Sequence, residues 1–169
     1  AMRNPERLFN AIKDPYLNAL INVANDESAS AADYMYKTLR ETSQSAGYIH
    51  NYSKIYKSNE SYPEHEMRKK LQVIAELICS GCESQIYYIS ITGFDTHANQ
   101  KPSQGRLLGI LSDSLKSFTN DLKRNSKFDE TLVLCFSEFG RRVDQNASQG
   151  TDHGAANNVI LVGGNLKKK

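Results

Sequence analysis

Three short runs of β-prone, almost continuously apolar residues, the first two separated by a long stretch of helical periodicity, restrict this chain more than any other feature. They are Ile86–Ile91 (IYYISI), Thr131–Phe136 (TLVLCF) and Val159–Val162. Apolar residues on successive rather than alternate positions are the pattern of a strand covered on both faces. Between the first two runs, Leu107, Leu111, Leu115, Phe118 and Leu122 fall on one helical stripe that Ser103 opens. Strand, helix, strand is the crossover that joins parallel neighbours. The sequence therefore predicts an α/β fold with a largely parallel sheet and flanking helices. In it, 86–91 and 131–136 pair in parallel, and a helix over 103–123 crosses one face.

The rhythm differs before Ser61–Pro63. Asn4-Pro5-Glu6 and Asp14-Pro15 each place a capping side chain ahead of a first-turn proline. Leu17, Leu20, Ile21 and Ala24 form a helical stripe, Asp26–Ala32 reads as a loop, and helix resumes at Asp33. It runs, with an interruption near Gly47, to about Tyr56. Ser61 and Glu64 have capping-box spacing ahead of Met67, Leu71, Ile74 and Ile78, a helix that should stop at about Gly81. Residues 1–60 thus read as a helical N-terminal arm and 61–169 as an α/β core, one domain overall. The 21 basic and 19 acidic side chains give a net charge of +2, so no global field recruits nucleic acid. No apolar run approaches the roughly 18 residues of a membrane-spanning helix.

In parallel sheets, ligands bind beyond the carboxyl ends of the strands, and three loops expected there carry unusual residues. They are Gly93-Phe94-Asp95-Thr96-His97, Ser137-Glu138-Phe139-Gly140-Arg141-Arg142, and Gly150-Thr151-Asp152-His153-Gly154. Asp95 and His97 are two apart, so an extended segment points both the same way. Glycines beside Asp152 and His153 allow the sharp backbone that aims both inward. Two Asp-His pairs and Glu138 make an oxygen and imidazole set suited to zinc, manganese or another borderline divalent ion. Arg141 and Arg142 have the fork that fits phosphate or sulfate. Ser137 lacks the surroundings of a nucleophile. Cys79 and Cys82 end a helix rather than open one, which argues against redox chemistry.

These blocks, GFDTHANQ, SEFGRR and GTDHG followed by a strand and Gly163-Gly164, resemble the signature of the bacterial domain of unknown function 1501 family. That family is similar to the alkaline phosphatase and sulfatase superfamily, whose members hold two divalent metals at the carboxyl edge of a largely parallel sheet. The resemblance implies that Asp152 and His153 are metal ligands, with Asp95 and His97 as the other pair, although at a narrower spacing than the superfamily's. It implies that Glu138 is a ligand or orients one, and that Arg141 assists catalysis by gripping the anion. It also implies an incomplete site, because the superfamily's first Asp and its nucleophile match nothing before Ser61, and no His follows His153.

The chain is accordingly expected to be a fragment of an extracytoplasmic metal-dependent hydrolase of phosphate or sulfate esters. Its substrate is an anionic small-molecule or glycan ester, and its zinc or manganese is held in the longer protein, weakly or not at all by this piece alone. The alternative is a non-catalytic extracytoplasmic binding or structural module that keeps the fold. A missing strand leaves a sheet edge open to a second copy, so a homodimer through that edge is also an expectation.

Overall fold

The computed structural model describes residues 5–23 and 30–167. It is mostly helical: α1 (Pro5–Ile12), α2 (Pro15–Val23), α3 (Ala31–Tyr52), α4 (Glu66–Cys79) and α5 (Gln100–Arg124) precede β1 (Val133–Cys135) and β2 (Ile160–Val162). The chain divides into two units, one of Ala1–Lys57 with Glu76–Ile86, the other of Ser58–Ala75 with Tyr87–Lys169.

In the first unit the prolines act as the sequence suggests. Helices α1 and α2 begin on Pro5 and Pro15, and the Asp14 carboxylate accepts from Tyr16 N at 2.9 Å, filling one orphan donor of the α2 first turn. Residues 26–29 of the expected loop, Ala24 of the expected helical stripe, and Asn4 lie outside the described residues. Helix α3 starts earlier than Asp33 because Ser30 caps it. The Ser30 hydroxyl accepts from Asp33 N at 3.2 Å, and the Asp33 carboxylate accepts from Ser30 N at 3.3 Å. Gly47 does not interrupt α3, since one interior glycine costs only about 1 kcal/mol. Beside it Ala46 is buried, and the Phe9 ring of α1 stacks on His50 at 3.9 Å.

In the second unit α5 is the organising element. Its buried Leu107, Phe118 and Leu122 belong to a core with Met67, Leu71 and Ala75. Ser61 and Tyr62 do not begin a helix, because both are bound to α5. Ser117 Oγ donates to Ser61 O at 2.8 Å, and Tyr62 OH donates to the buried Asp121 carboxylate at 3.0 Å. Helix α4 opens at Glu66 instead.

The parallel sheet is not formed. β1 and β2 pair antiparallel, with Val133 opposite Val162, Leu134 opposite Leu161 and Cys135 opposite Ile160, and Ile86–Ile91 carries no strand. Both corrections have one physical source. A continuous apolar run reports that both faces are apolar and says nothing of strand direction or of a partner's presence. The polar segment between β1 and β2 forms no helix, and so returns the chain antiparallel without a crossover. Residues 86–91 find no ladder among the described residues, leaving Ile86 88% and Tyr88 72% exposed. No helix among the described residues is long and apolar enough to cross a membrane.

Candidate metal centre

The long loop from β1 to β2 folds back on itself through Arg141. Arg141 N donates to Ala156 O at 2.7 Å and Ala156 N returns a bond to Arg141 O at 2.9 Å, while Arg142 N donates to Asp152 O at 2.8 Å. The turn packs so closely that a Cβ on Gly154 would lie 2.7 Å from Arg142 N, which is why glycine follows His153. These bonds set Asp152 and His153 beside the segment that leads into α5, where Asp95 and His97 sit.

The four Asp and His side chains predicted to share a site converge. His97 Nε2 lies 3.1 Å and His153 Nε2 lies 2.8 Å from the same oxygen, Asp95 Oδ1. The other nitrogen of His97, Nδ1, lies 3.2 Å from Asp152 Oδ1. The two imidazole centroids are 5.0 Å apart, and Phe139 stacks on the His153 ring at 4.4 Å. Asp95, His97 and His153 each offer one ligand atom, all within 4.8 Å of one another. Asp152 faces the far side of His97 and stands one layer out.

The donor set fits a divalent ion. Zinc bonds of about 2.0–2.2 Å place neighbouring tetrahedral ligands roughly 3.3 Å apart, close to the two oxygen–nitrogen separations here. All three side chains are about half exposed, which leaves an outward position for water or substrate. A carboxylate on one ring nitrogen of a histidine, as Asp152 is on Nδ1 of His97, is the arrangement that would fix the tautomer and leave the other lone pair for an ion.

The two remaining predicted residues behave differently. Arg141, with its side chain only 14% exposed, binds mainly backbone carbonyls, and its Nη2 also lies 3.9 Å from Asp95 Oδ1. Nη1 donates to Thr96 O at 2.8 Å and to Thr151 O, and Nη2 donates to Phe94 O at 2.6 Å. One guanidinium thus ties together the two loops that carry the cluster. Glu138 is exposed in the bend after β1 and makes no hydrogen bond or ion pair among the described residues. Its neighbour Phe139, by contrast, reaches the site by stacking on the His153 ring.

Asn146 was not anticipated. Its Nδ2 donates to His97 O at 3.0 Å and to Asp152 Oδ1 at 3.2 Å, and its Oδ1 accepts from Gly150 N at 3.0 Å. An asparagine ahead of a glycine in a polar loop signals a turn, and nothing in the sequence extends that signal to a site.

The His153 contact holds the Asp95 carboxyl below the usual aspartate range, and the His97 and Asn146 contacts do the same for Asp152. A depressed folded value means stabilisation that is present above the unfolded value of about 3.9 and lost as pH falls through the folded one. In a carbon-detected NMR titration both carboxyls are expected to titrate below the ordinary aspartate value. Midpoints at or above the ordinary value would show that the imidazole contacts do not form in solution.

A family model described as a protein of unknown function, DUF1501, matches residues 12–168. No curated protein and no solved structure matches the chain.

Proposed function

The chain belongs to the DUF1501 family, and from that premise we propose that it acts as a divalent-metal-dependent hydrolase of phosphate or sulfate esters, with Asp95, His97 and His153 holding the ion. The observation that carries this reading is the single oxygen of Asp95 facing the Nε2 atoms of both histidines. A divalent ion bound there supplies Lewis-acid stabilisation of charge developing on an ester oxygen.

The chain's own residues do the rest. Asp152 accepts the Nδ1 proton of His97 and so keeps the Nε2 lone pair free for the ion. Asn146 holds Asp152 and the His97 carbonyl together. One carboxylate and two neutral imidazoles leave a dication with net positive charge, which favours an anionic ester at the open position. Arg142 is exposed, and its charge bears on Asp152. It, rather than the backbone-bound Arg141, is the guanidinium available to a substrate anion.

Calorimetry with zinc and with manganese tests this. Against the weak or absent binding that the incomplete superfamily match implies, one equivalent is expected to bind with micromolar or tighter affinity, and His153→Ala should weaken it at least tenfold, since even loss of an outer-shell partner costs about 10–100-fold. Zinc-loaded protein is then screened on phosphate and sulfate esters. A second reading rests on the same contacts, because the cluster is internally hydrogen-bonded and such a cluster can serve to hold two loops together. No metal binding, with a lowered melting temperature in His153→Ala, would decide for that structural role.

A further inference from the structure

Next to the cluster lies a groove of about 320 Å³, lined by Gln100, Lys101, Gln104, Gln145, Gln149 and Thr151 among others. We infer that this groove binds a vicinal diol, Gln104 Oε1 accepting from one hydroxyl and Gln100 Nε2 donating to the next. The substrate is then the ester of a polyhydroxylated compound. The inference deepens the metal-centre reading and rests on it only for where the ester group sits.

The polarity of the two amides is dictated from within. Arg141 has donors and no acceptor. Its Nη1 donates to Thr151 Oγ1 at 3.2 Å, so the Thr151 hydroxyl must give its own proton elsewhere, and it does so to Gln100 Oε1 at 2.8 Å. That assigns the Gln100 oxygen to Thr151 and leaves its NH₂ available in the groove that both residues line. Across the clasp, Thr96 Oγ1 donates to Phe94 O at 3.4 Å and accepts from Arg141 Nη2 at 3.5 Å. It therefore meets the NH₂ of Gln104, whose Nε2 donates to it at 3.1 Å, and the Gln104 carbonyl is the end left over.

Gln100 and Gln104 are one turn apart on α5, on the same face, with Cβ atoms about 5–6 Å apart. The pair presents one donor and one acceptor side by side, each held by the threonine next to a cluster residue. Two adjacent hydroxyls satisfy both at once. A bare anion can pair with Lys101 but leaves the Gln104 carbonyl without a donor, and an apolar group leaves both amides unpaired.

The test follows the side-chain amide resonances of Gln100 and Gln104 by NMR, in zinc-free and zinc-loaded protein. Three esters are titrated: glucose 6-phosphate, glycerol 1-phosphate, and 3-hydroxypropyl phosphate, which lacks a vicinal diol. A diol ester is expected to bind about tenfold more tightly than 3-hydroxypropyl phosphate, the equivalent of one net hydrogen bond. In Gln104→Leu the ratio should fall to about one. Preference for glucose 6-phosphate alone assigns a sugar ring, and for glycerol 1-phosphate alone an acyclic polyol. If all three esters behave alike, or none moves these amides while zinc still binds, the diol site is wrong. A diol response without zinc binding would instead overturn the metal reading and leave the groove standing.

Discussion

Replacing Arg141 by methionine is expected to lower stability by about 3 kcal/mol or more and to weaken zinc binding by one to two orders of magnitude. The first figure counts about 1 kcal/mol or more for each carbonyl left without its donor, and Arg141 serves those of Phe94, Thr96 and Thr151. The second follows because these bonds tie the loop bearing Asp95 and His97 to the loop bearing Asp152 and His153. Without the clasp, the ligand atoms lose the separation that an ion needs. Arg141→Lys should fall between wild type and methionine, since an ammonium is a point charge that cannot span three carbonyls as a planar fork does. Urea denaturation gives the first quantity and calorimetry the second. A methionine variant with wild-type midpoint and affinity would show that the loops are held without Arg141.

What the sequence made legible is what local chemistry encodes. Prolines fixed the starts of α1 and α2, and the leucine stripe located α5. That the Asp and His blocks come together in space was legible because polar, chemically capable residues stood in loops beside apolar runs. Strand direction was not legible, since IYYISI and TLVLCF report composition on two faces and not a partner. Nor was the division of labour within the blocks. Asp152 and His153 are neighbours of equal promise in sequence, yet His153 faces Asp95 and Asp152 the far nitrogen of His97. Arg141 and Arg142 are likewise indistinguishable until the carbonyls of Phe94 and Thr151 have places in space. Glu138 drew notice by its charge, while its neighbour Phe139 is the one that packs on a cluster histidine.

Gly150→Ala is expected to remove metal binding almost entirely, lowering zinc affinity about a hundredfold or more, the upper end of what losing a supporting residue costs. Gly150 is buried against the main chain of His97, and an added Cβ would fall on the His97 carbonyl and 2.7 Å from Ala98 N. Backbone cannot swing aside as a flexible side chain can, so the substitution displaces His97 itself. Overpacking of this kind costs about 1–3 kcal/mol of stability. The larger effect is geometric. The two ring nitrogens of His97 lie 3.1 Å from Asp95 and 3.2 Å from Asp152, and Asn146 binds its carbonyl at 3.0 Å. Moving the residue disturbs all of these together. The Asp152 carboxyl, freed from His97, should then titrate nearer to 3.9. Gly109→Ala supplies the contrast, because that glycine lies within α5 with nothing within 4 Å of an added Cβ. There alanine should raise stability by about 0.5–1 kcal/mol and leave zinc binding as it was. If Gly150→Ala bound zinc like wild type, the close approach of the two loops at His97 would not be what sets the ligands, and the three-residue centre would have to be abandoned.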